Sequence, residues 1–234
     1  MKLGKLFGVS LGPGDPGLVT LKALKILQNA DVIFTVISRQ GSSSASGRII
    51  DSLDGVDAER IELVFAMRDD REDKALCIRN NAEQIIEKLQ SGKSCAFATI
   101  GDALTYSTYG YILNELKKSL PALEVETIPG VNSWSALASS VNRVLVEDRA
   151  VLSVVPSYAP DVKLSHSADS GNSTVLLKTY NTRDQLINEL RSSGVEFLYG
   201  ANLGMENEFI SDNAEDILAR DKEYLSMLIV KNKK

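Results

Sequence analysis

Apolar and polar segments alternate along the chain in the order expected of strands that are separated by helices. The apolar run Leu6 to Leu11 predicts a first strand. After a turn, leucines recur at every third position, which predicts the buried stripe of an amphipathic helix. These leucines are Leu18, Leu21, Leu24 and Leu27. The β-branched run Asp31 to Ile37 then predicts a second strand, so the chain begins with a βαβ unit.

The same alternation continues almost to the end of the chain. Further predicted strands are Ile61–Phe65, Ser94–Ile100, Val125–Ile128, Val151–Pro156, Thr174–Lys178, Val195–Tyr199 and Tyr224–Val230. Predicted helices are Asp69–Gln90, Tyr106–Leu116, Ser133–Val141 and Thr182–Ser193, with a short helical turn at Ile49–Leu53 after a loop at Arg39–Gly47. The composition changes near Pro121, so we predict two α/β domains, residues 1–121 and 122–234.

Composition and charge exclude several classes of partner. With 44% hydrophobic and 24% charged residues, the 234-residue chain is typical of soluble globular proteins. A net charge of −5 gives no overall field that attracts nucleic acid or an anionic membrane, so we expect neither partner. No apolar run approaches the ~20 residues that a membrane span requires.

The residues that most often bind metals are few. Cys77 and Cys95 lack metal-ligand spacing, so we predict two buried, inert thiols in a reduced, cytoplasmic protein. His166, the only histidine, lies in a polar stretch and is predicted to be a surface residue rather than a base or a cobalt ligand. We therefore predict no metal site.

Two glycine-rich turns carry the candidate chemistry. Gly12-Pro13-Gly14-Asp15-Pro16 follows the first strand, and Gly101-Asp102 ends the strand before Tyr106. Ligands of open α/β sheets bind at such strand ends, so we predict one cleft built from at least these two turns. Neither turn has the lysine of a P-loop or the spacing of a dinucleotide fingerprint, which disfavours a phosphate site. For Asp15 and Asp102, a chemical role in this cleft and a purely structural role in stabilising their own turns are equally consistent with the sequence.

The order of these motifs resembles the tetrapyrrole methylase family, the S-adenosylmethionine-dependent enzymes of cobalamin and sirohaem synthesis. The resemblance covers essentially the whole chain and includes Gly12 to Ala23, Gly101-Asp102 and Ile128 to Val131. Further stretches are similar to the precorrin-2 or cobalt-factor II C-20 methyltransferase branch: Ser42–Ala45, Phe65–Met67, Thr99–Asp102, Tyr106–Tyr109 and Glu126–Gly130. The chain departs from the family at Ala103, where Pro is usual, and at Asn132, where Thr or Ser is common.

The resemblance implies a fold, a cofactor and a set of contacts. It implies two α/β domains with the active-site cleft between them, a homodimer, and transfer of a methyl group from S-adenosylmethionine to a tetrapyrrole. The cofactor-binding residues that it implies are Pro13, Ile100, Gly101, Asp102, Thr105, Ser107, Thr108, Asn132, Ser133, Leu177 and Leu203. Plain core packing is the alternative for the two leucines.

The remaining candidates concern catalysis and the substrate. Asp102 and Tyr106 are the catalytic candidates, with Asp102 mainly a cofactor anchor and Tyr106 either orienting the macrocycle or packing in a helix. Arginine forks bind carboxylates, and the substrate carries many. The substrate-binding candidates are Asp15, Arg39, Ser43 and Arg68; Arg48 and Arg71 are further possible carboxylate clamps, and a solvated surface charge is the alternative for each arginine.

Other functions are compatible with the same motifs. One alternative is another enzyme of this fold, such as a uroporphyrinogen III methyltransferase, a different precorrin methyltransferase, an RNA ribose methyltransferase or diphthine synthase. The Tyr106-Ser107-Thr108 stretch argues against these, and the acidic chain argues against RNA. A second alternative is a non-catalytic tetrapyrrole or nucleotide carrier that has kept the fold. Any metal is expected to arrive inside the substrate ring.

Overall fold

The protein consists of two compact units, seen in a computed structural model that describes residues 2–39, 41, 43–65, 71–157 and 171–231. The N-terminal unit is Met1–Asn132 and the C-terminal unit is Ser133–Lys234. The division lies after Asn132 rather than at residue 121, because the strand Val125–Ile128 pairs with Leu6–Val9 of the first sheet.

The N-terminal unit contains one sheet of five parallel strands in the order β3-β2-β4-β1-β5. The strands are β1 (Leu6–Ser10), β2 (Val32–Ile37), β3 (Glu59–Val64), β4 (Cys95–Thr99) and β5 (Val125–Ile128). The helices are α1 (Leu21–Asn29), α2 (Ala45–Asp51), α3 (Arg71–Gln90) and α4 (Tyr109–Ser119). All four connections are βαβ crossovers, so the predicted α/β class is confirmed.

Helices cover both faces of this sheet, as the alternation of buried residues along β4 shows. Ala96 and Ala98 pack in the apolar cluster that contains residues of α1 and α2. Cys95 and Phe97 pack in the cluster that contains residues of α3 and α4. The helices that follow the neighbouring strands β1 and β4 therefore leave toward opposite faces. The carboxyl ends of β1 and β4 form a topological switch point, where ligands of open α/β sheets bind.

Helix α1 shows where the sequence pattern misled us. Thr20 caps the helix by accepting a hydrogen bond from the N–H of Ala23 at 3.2 Å. The fully buried residues are Ala23 and Leu27, four positions apart, whereas Leu21 is 77% exposed. The prediction that these leucines form one buried stripe was therefore wrong. An α-helix has 3.6 residues per turn, so residues spaced by three lie progressively further around the helix and do not share one face.

The C-terminal unit contains a mixed sheet of five strands in the order β6-β7-β10-β8-β9. The strands are β6 (Leu152–Pro156), β7 (Ser173–Leu177), β8 (Glu196–Ala201), β9 (Phe209–Ser211) and β10 (Ser226–Lys231). The helices are α5 (Ser133–Ser140), α6 (Arg183–Ser193) and α7 (Ala214–Ala219). Strand β10 is antiparallel to both β7 and β8, so the carboxyl ends of β6, β7 and β8 share one edge. The short elements β9 and α7 were not predicted from the sequence.

The two thiols differ in their surroundings. Cys95 is buried, and desolvation raises the pKa of its thiol to about 12, so it remains protonated and unreactive. Cys77 is only half-buried and donates a hydrogen bond to the carbonyl of Val64 at 3.1 Å, so the prediction of a buried thiol was wrong for this residue. Within the described ranges no helix is long and apolar enough to cross a membrane, and no metal-binding cluster forms. His166 lies outside the described residues.

Candidate functional site

The loops that follow β1 and β4 are joined at the switch point. The N–H of Gly12 donates to the carbonyl of Gly101 at 3.3 Å, and the N–H of Gly101 donates back to Gly12 at 2.7 Å. Both glycines have positive φ, 75° and 71°, a conformation that costs glycine little. The predicted meeting of the two turns is therefore present. Pro13 is buried beside this bridge, whereas Asp15 is exposed and caps the following 3₁₀ turn by accepting from Gly17 at 2.8 Å.

A buried hydroxyl at the end of β1 connects this strand to β5 and to the loop after β4. Ser10, at the end of β1, donates to the carbonyl of Ile128 at 2.7 Å and accepts from the N–H of Ala103 at 2.8 Å. It is completely buried. Ser10 thus fixes both the end of β5 and the loop after β4. Sequence reasoning missed this residue, although a serine that ends an apolar run is a recognisable signal.

The carboxylate of Asp102 organises the loop after β4 and connects it to the loop after β5. Its Oδ1 accepts from the N–H of Leu104 and from the hydroxyl of Thr105, both at 3.0 Å. Its Oδ2 accepts from the N–H of Gly130 at 3.1 Å. These three donors occupy most of the acceptor capacity of a carboxylate. The arrangement favours the turn-organising alternative for Asp102, and it commits the hydroxyl of Thr105 as well.

Tyr109, the first residue of α4, fixes the position of the helix against the sheet. Its buried ring lies over Gly8, where an added Cβ would approach the ring to 2.3 Å. Its hydroxyl hydrogen-bonds the hydroxyl of Thr127 at 3.0 Å. Desolvation raises the pKa of Tyr109, so its phenol is neutral and structural. Tyr109 belongs to the Tyr106–Tyr109 stretch noted in the sequence, but no local pattern predicts its contact with Gly8.

The loop before α4 contains further predicted residues of the N-terminal unit. The hydroxyls of Ser107 and Thr99 are hydrogen-bonded at 3.2 Å, and the Ser107 hydroxyl accepts from the N–H of Tyr109, the first residue of α4, at 3.2 Å. Tyr106 has a φ of 51° and is 48% exposed, so it lies in this loop and not in a helix as predicted. Ile100 is half-buried at the start of the loop.

Three of the predicted polar side chains keep their hydrogen-bonding groups available. Across the described part of the chain, the side chains of Thr108, Asn132 and Ser133 form no hydrogen bond, and all three residues are half-buried. Hydroxyl and amide groups of this kind both donate and accept. Each of the three side chains is therefore available to hydrogen-bond a polar ligand.

The loop after β2 ends at the same edge of the sheet. Arg39 is exposed there, and Ser43 accepts from Arg48 at 3.1 Å. Ser43 and Arg48 also line an open groove of about 710 Å³ beside α2 and β3, where Arg60 pairs with Asp51. Arg68 lies outside the described residues, as does the side chain of Arg71.

The C-terminal unit contains the two predicted leucines. Leu203 is 6% exposed in an apolar cluster, and Leu177 and Trp134 are partly buried at the margin of that cluster. Leu177 ends β7 and Leu203 follows β8, so both lie at the edge of the sheet where parallel strands end. Asn202, which lies between β8 and Leu203, was not among the predicted site residues.

Known proteins resemble this chain along most of its length. The family model of the Tetrapyrrole (Corrin/Porphyrin) Methylases matches residues 5–217. A Methanocaldococcus jannaschii protein named "Probable cobalt-precorrin-2 C(20)-methyltransferase" is 32% identical over 232 residues, 97% of this chain and 96% of the relative. The Salmonella typhimurium "Cobalt-precorrin-2 C(20)-methyltransferase" is 30% identical over 177 residues, 76% of this chain and 73% of its own.

Solved structures share the fold at low sequence identity. A cobalt precorrin-4 methyltransferase has a TM-score of 0.71 at 19% identity, covering 97% of this chain and 94% of the other. The uroporphyrin-III C-methyl transferase of Thermus thermophilus, complexed with S-adenyl homocysteine, has a TM-score of 0.68 at 19% identity, covering 97% of this chain and 92% of the other.

Proposed function

Since the chain belongs to the tetrapyrrole (corrin/porphyrin) methylase family, we propose that it transfers a methyl group from S-adenosylmethionine to C-20 of precorrin-2 or of its cobalt complex. The observation that carries this proposal is the 32% identity, over 97% of the chain, to the Methanocaldococcus relative named for that reaction. The complex of the Thermus relative with S-adenyl homocysteine supports the choice of methyl donor.

The proposed donor contacts fall into two groups. One group holds the loops in place: Gly101 through its backbone bridge, and Asp102, Thr105 and Ser107 through their hydrogen bonds within the chain. The other group has side chains that make no hydrogen bond among the described residues. Thr108, Asn132 and Ser133 are its polar members, and Pro13, Ile100, Leu177 and Leu203 are its apolar members. We therefore assign ligand hydrogen bonds to Thr108, Asn132 and Ser133, and a positioning role to Asp102.

The reaction requires the chain to align the two reactants rather than to supply a nucleophile. S-adenosylmethionine supplies an electrophilic methyl group on a sulfonium, and the enamine-like C-20 of the substrate supplies the carbon nucleophile. The methyl–sulfur bond breaks as the C-20–methyl bond forms, and the C-20 proton then leaves. Holding two reactants in line supplies about 7–11 kcal/mol of a barrier. The cross-linked loops at the switch point are suited to that task, because their hydrogen bonds restrict movement.

Tyr106 and Asp102 remain the catalytic candidates, with different roles. Tyr106 stands 48% exposed on a backbone of positive φ, which is suited to contact with a large planar substrate. Three donors of the chain already bond to the carboxylate of Asp102, so it can accept the C-20 proton only at a lone pair that these donors do not use. We therefore assign the contact with the macrocycle to Tyr106.

The substrate carboxylates require cations near the same edge of the sheet. We propose Arg39 and Arg68 for this role. Ser43 and Asp15 are proposed to hydrogen-bond other polar groups of the substrate, because a hydroxyl carries no charge and a carboxylate repels another carboxylate. In an Arg39→Ala variant, the KM for substrate rises while the Kd for S-adenosylhomocysteine stays unchanged. Arg79→Ala, at an exposed position of α3, is the matched control. An unchanged KM for substrate and an unchanged Kd for S-adenosylhomocysteine in Arg39→Ala would remove Arg39 from the set.

We further propose that the chain forms a homodimer in the cytoplasm. Sedimentation of the purified chain tests the dimer.

The decisive experiment is methyl transfer with a labelled donor. The purified chain is incubated with S-adenosylmethionine that carries a ¹³C methyl group, and with precorrin-2 either metal-free or loaded with cobalt. Carbon NMR then locates the label, which we expect at C-20. Label at another carbon would assign a different methylase of this family. Binding of both ligands without transfer would assign a tetrapyrrole carrier. The faster of the two substrates identifies the metal state that the enzyme uses.

A further inference from the structure

Asn202 occupies a constrained position directly after β8. Its φ is 49°, in the left-handed region. Its N–H donates to the carbonyl of Leu225 at 2.9 Å, and its own carbonyl accepts from the N–H of Met205 at 3.0 Å. Both backbone groups are therefore used, and they fix the direction in which the side chain leaves the turn.

The side-chain amide of Asn202 has no such partner. The residue is only 9% exposed, yet no described residue forms a hydrogen bond with the amide. Neither amide atom is fully buried, so the small exposed fraction includes the polar tip. Mostly buried polar groups normally have partners within the protein or in a ligand. The amide of Asn202 thus presents one acceptor and two donor hydrogens without use in the fold.

Backbone conformation alone does not account for an amide at this position. Asparagine is favoured at positive φ because its short side chain bonds to nearby backbone. The amide of Asn202 makes no such bond, and Lys178, which directly follows β7, has a φ of 59° without being asparagine. Asn142 has a similar φ of 52° but is exposed. The feature peculiar to Asn202 among these residues is therefore an amide on a mostly buried side chain that makes no hydrogen bond with any described residue.

The surroundings of Asn202 fit a planar heterocycle. Leu177 and Gly200 both pair with Met227 of β10, so the ends of β7 and β8 are level and two strand spacings apart, about 10 Å. Leu203, the next residue, belongs to the apolar cluster that has Leu177 and Trp134 at its margin. Apolar surface beside a single polar group that fixes orientation is typical of small-ligand sites.

We propose that the carboxamide of Asn202 binds the adenine of the methyl donor, with Oδ1 accepting from the N6 amino group and Nδ2 donating to N7. This is the bidentate pairing that asparagine makes with adenine. The inference rests on the proposed function, since it takes an adenosyl donor as the ligand. Asn202 then selects the base, while Leu177 and Leu203 contact its ring.

Calorimetry with the full chain tests this assignment. S-adenosylhomocysteine and its 7-deaza analogue, which lacks the N7 acceptor, are titrated into wild type, Asn202→Gly and Asn202→Asp. Glycine tolerates positive φ, so Asn202→Gly keeps the turn, and Asn202→Asp keeps the shape while removing the amino donor. Asn142→Gly is the matched control. Thermal unfolding of each variant shows that the fold is retained.

The expected result is a Kd for S-adenosylhomocysteine raised about ten- to a hundredfold in both Asn202 variants and unchanged in Asn142→Gly. Wild type binds the 7-deaza analogue more weakly than S-adenosylhomocysteine, and Asn202→Gly binds the two alike. The assignment is overturned, and the proposed function stands, if wild type binds S-adenosylhomocysteine and Asn202→Gly either binds it equally well or prefers it over the 7-deaza analogue as strongly as wild type does. If folded wild type binds neither compound, the proposed function is overturned together with the inference.

Discussion

The Asp102 carboxylate accepts a hydrogen bond from the backbone N–H of Gly130 at 3.1 Å and so connects the loops after β4 and β5. Its other oxygen holds Leu104 and Thr105 of its own loop. A carboxylate with these contacts maintains the shape of a binding loop before any ligand arrives. The predicted anchor of the cofactor is, in this geometry, first an anchor of the loop itself.

Replacing Asp102 with alanine is expected to lower both stability and donor affinity. The variant loses three hydrogen bonds to a charged acceptor at a half-buried site, and we expect the free energy of unfolding to fall by about 2–3 kcal/mol. Urea unfolding measures the loss, and calorimetry with S-adenosylhomocysteine measures the affinity. Asp57→Ala, at an exposed site, is the control. Full stability in Asp102→Ala would contradict the organising role.

Gly130 is packed too closely for any side chain. A Cβ there would lie 2.5 Å from the Cβ of Ser10 and 2.8 Å from the carbonyl oxygen of Gly101. Gly130→Ala should therefore destabilise the protein by about 1–3 kcal/mol, because backbone of two loops has to move. Gly110→Ala is the matched control: nothing lies within 4 Å of its added Cβ, and alanine stabilises a helix by about 0.5–1 kcal/mol. Equal effects of the two changes would refute this packing argument.

The hydrogen bond from Ala103 to Ser10 is expected to couple two positions that are far apart in sequence. Ser10→Ala leaves the buried N–H of Ala103 without a partner, which costs about 1–3 kcal/mol. Ala103→Pro removes that N–H, so Ser10→Ala should cost less in the Ala103→Pro background. A double-mutant cycle by chemical unfolding measures the difference. Strictly additive effects would show that the hydrogen bond contributes nothing.

Thr108 provides a test of a ligand-directed hydroxyl. Because the side chain of Thr108 has no hydrogen bond among the described residues, the free energy of unfolding of Thr108→Val should lie within about 0.5 kcal/mol of the wild-type value. Donor affinity should fall about three- to tenfold, as for the loss of one neutral hydrogen bond. Thr108→Ser keeps the hydroxyl and should retain the affinity. Calorimetry of the three proteins decides the matter, and equal affinity in Thr108→Val would remove this contact.

The acid response of the protein should depend on Glu126. Hydrogen bonds from Lys22 and Lys5, at 2.6 and 2.7 Å, lower the pKa of Glu126 from 4.5 to about 2. A folded-state pKa below the unfolded value means that the stabilisation is present above pH 4.5 and is lost as the pH falls toward about 2. Wild type should therefore lose Tm across that interval more steeply than Glu126→Gln. The neighbouring exposed Glu124→Gln should follow wild type, and parallel curves for all three proteins would contradict the prediction.

Local patterns in the sequence were sufficient for most of the elements. The β-branched and apolar runs predicted β1, β2 and β4 to within one residue at each end, because strand residues buried on both faces must be apolar. The predicted bounds of β5, β6 and β7 were also within one residue of the observed ones. The predicted ends of an element were wrong where a single side chain or backbone angle determines the end. The helix predicted to begin at Tyr106 begins only at Tyr109, because Tyr106 has a positive φ and the Ser107 hydroxyl accepts from the first helical N–H, that of Tyr109.

The sequence by itself determined the α/β class, the two glycine-rich turns and the family resemblance, because each of these depends on neighbouring residues or on motifs in fixed order. Only the tertiary structure decided which loops meet. Ser10 bonds to partners 93 and 118 positions away, and Asp102 bonds to Gly130 across 28. Such pairings follow from the strand order β3-β2-β4-β1-β5, which brings β1 between β4 and β5. Strand order results from packing helices on both faces of one sheet, and no local pattern in the chain encodes it.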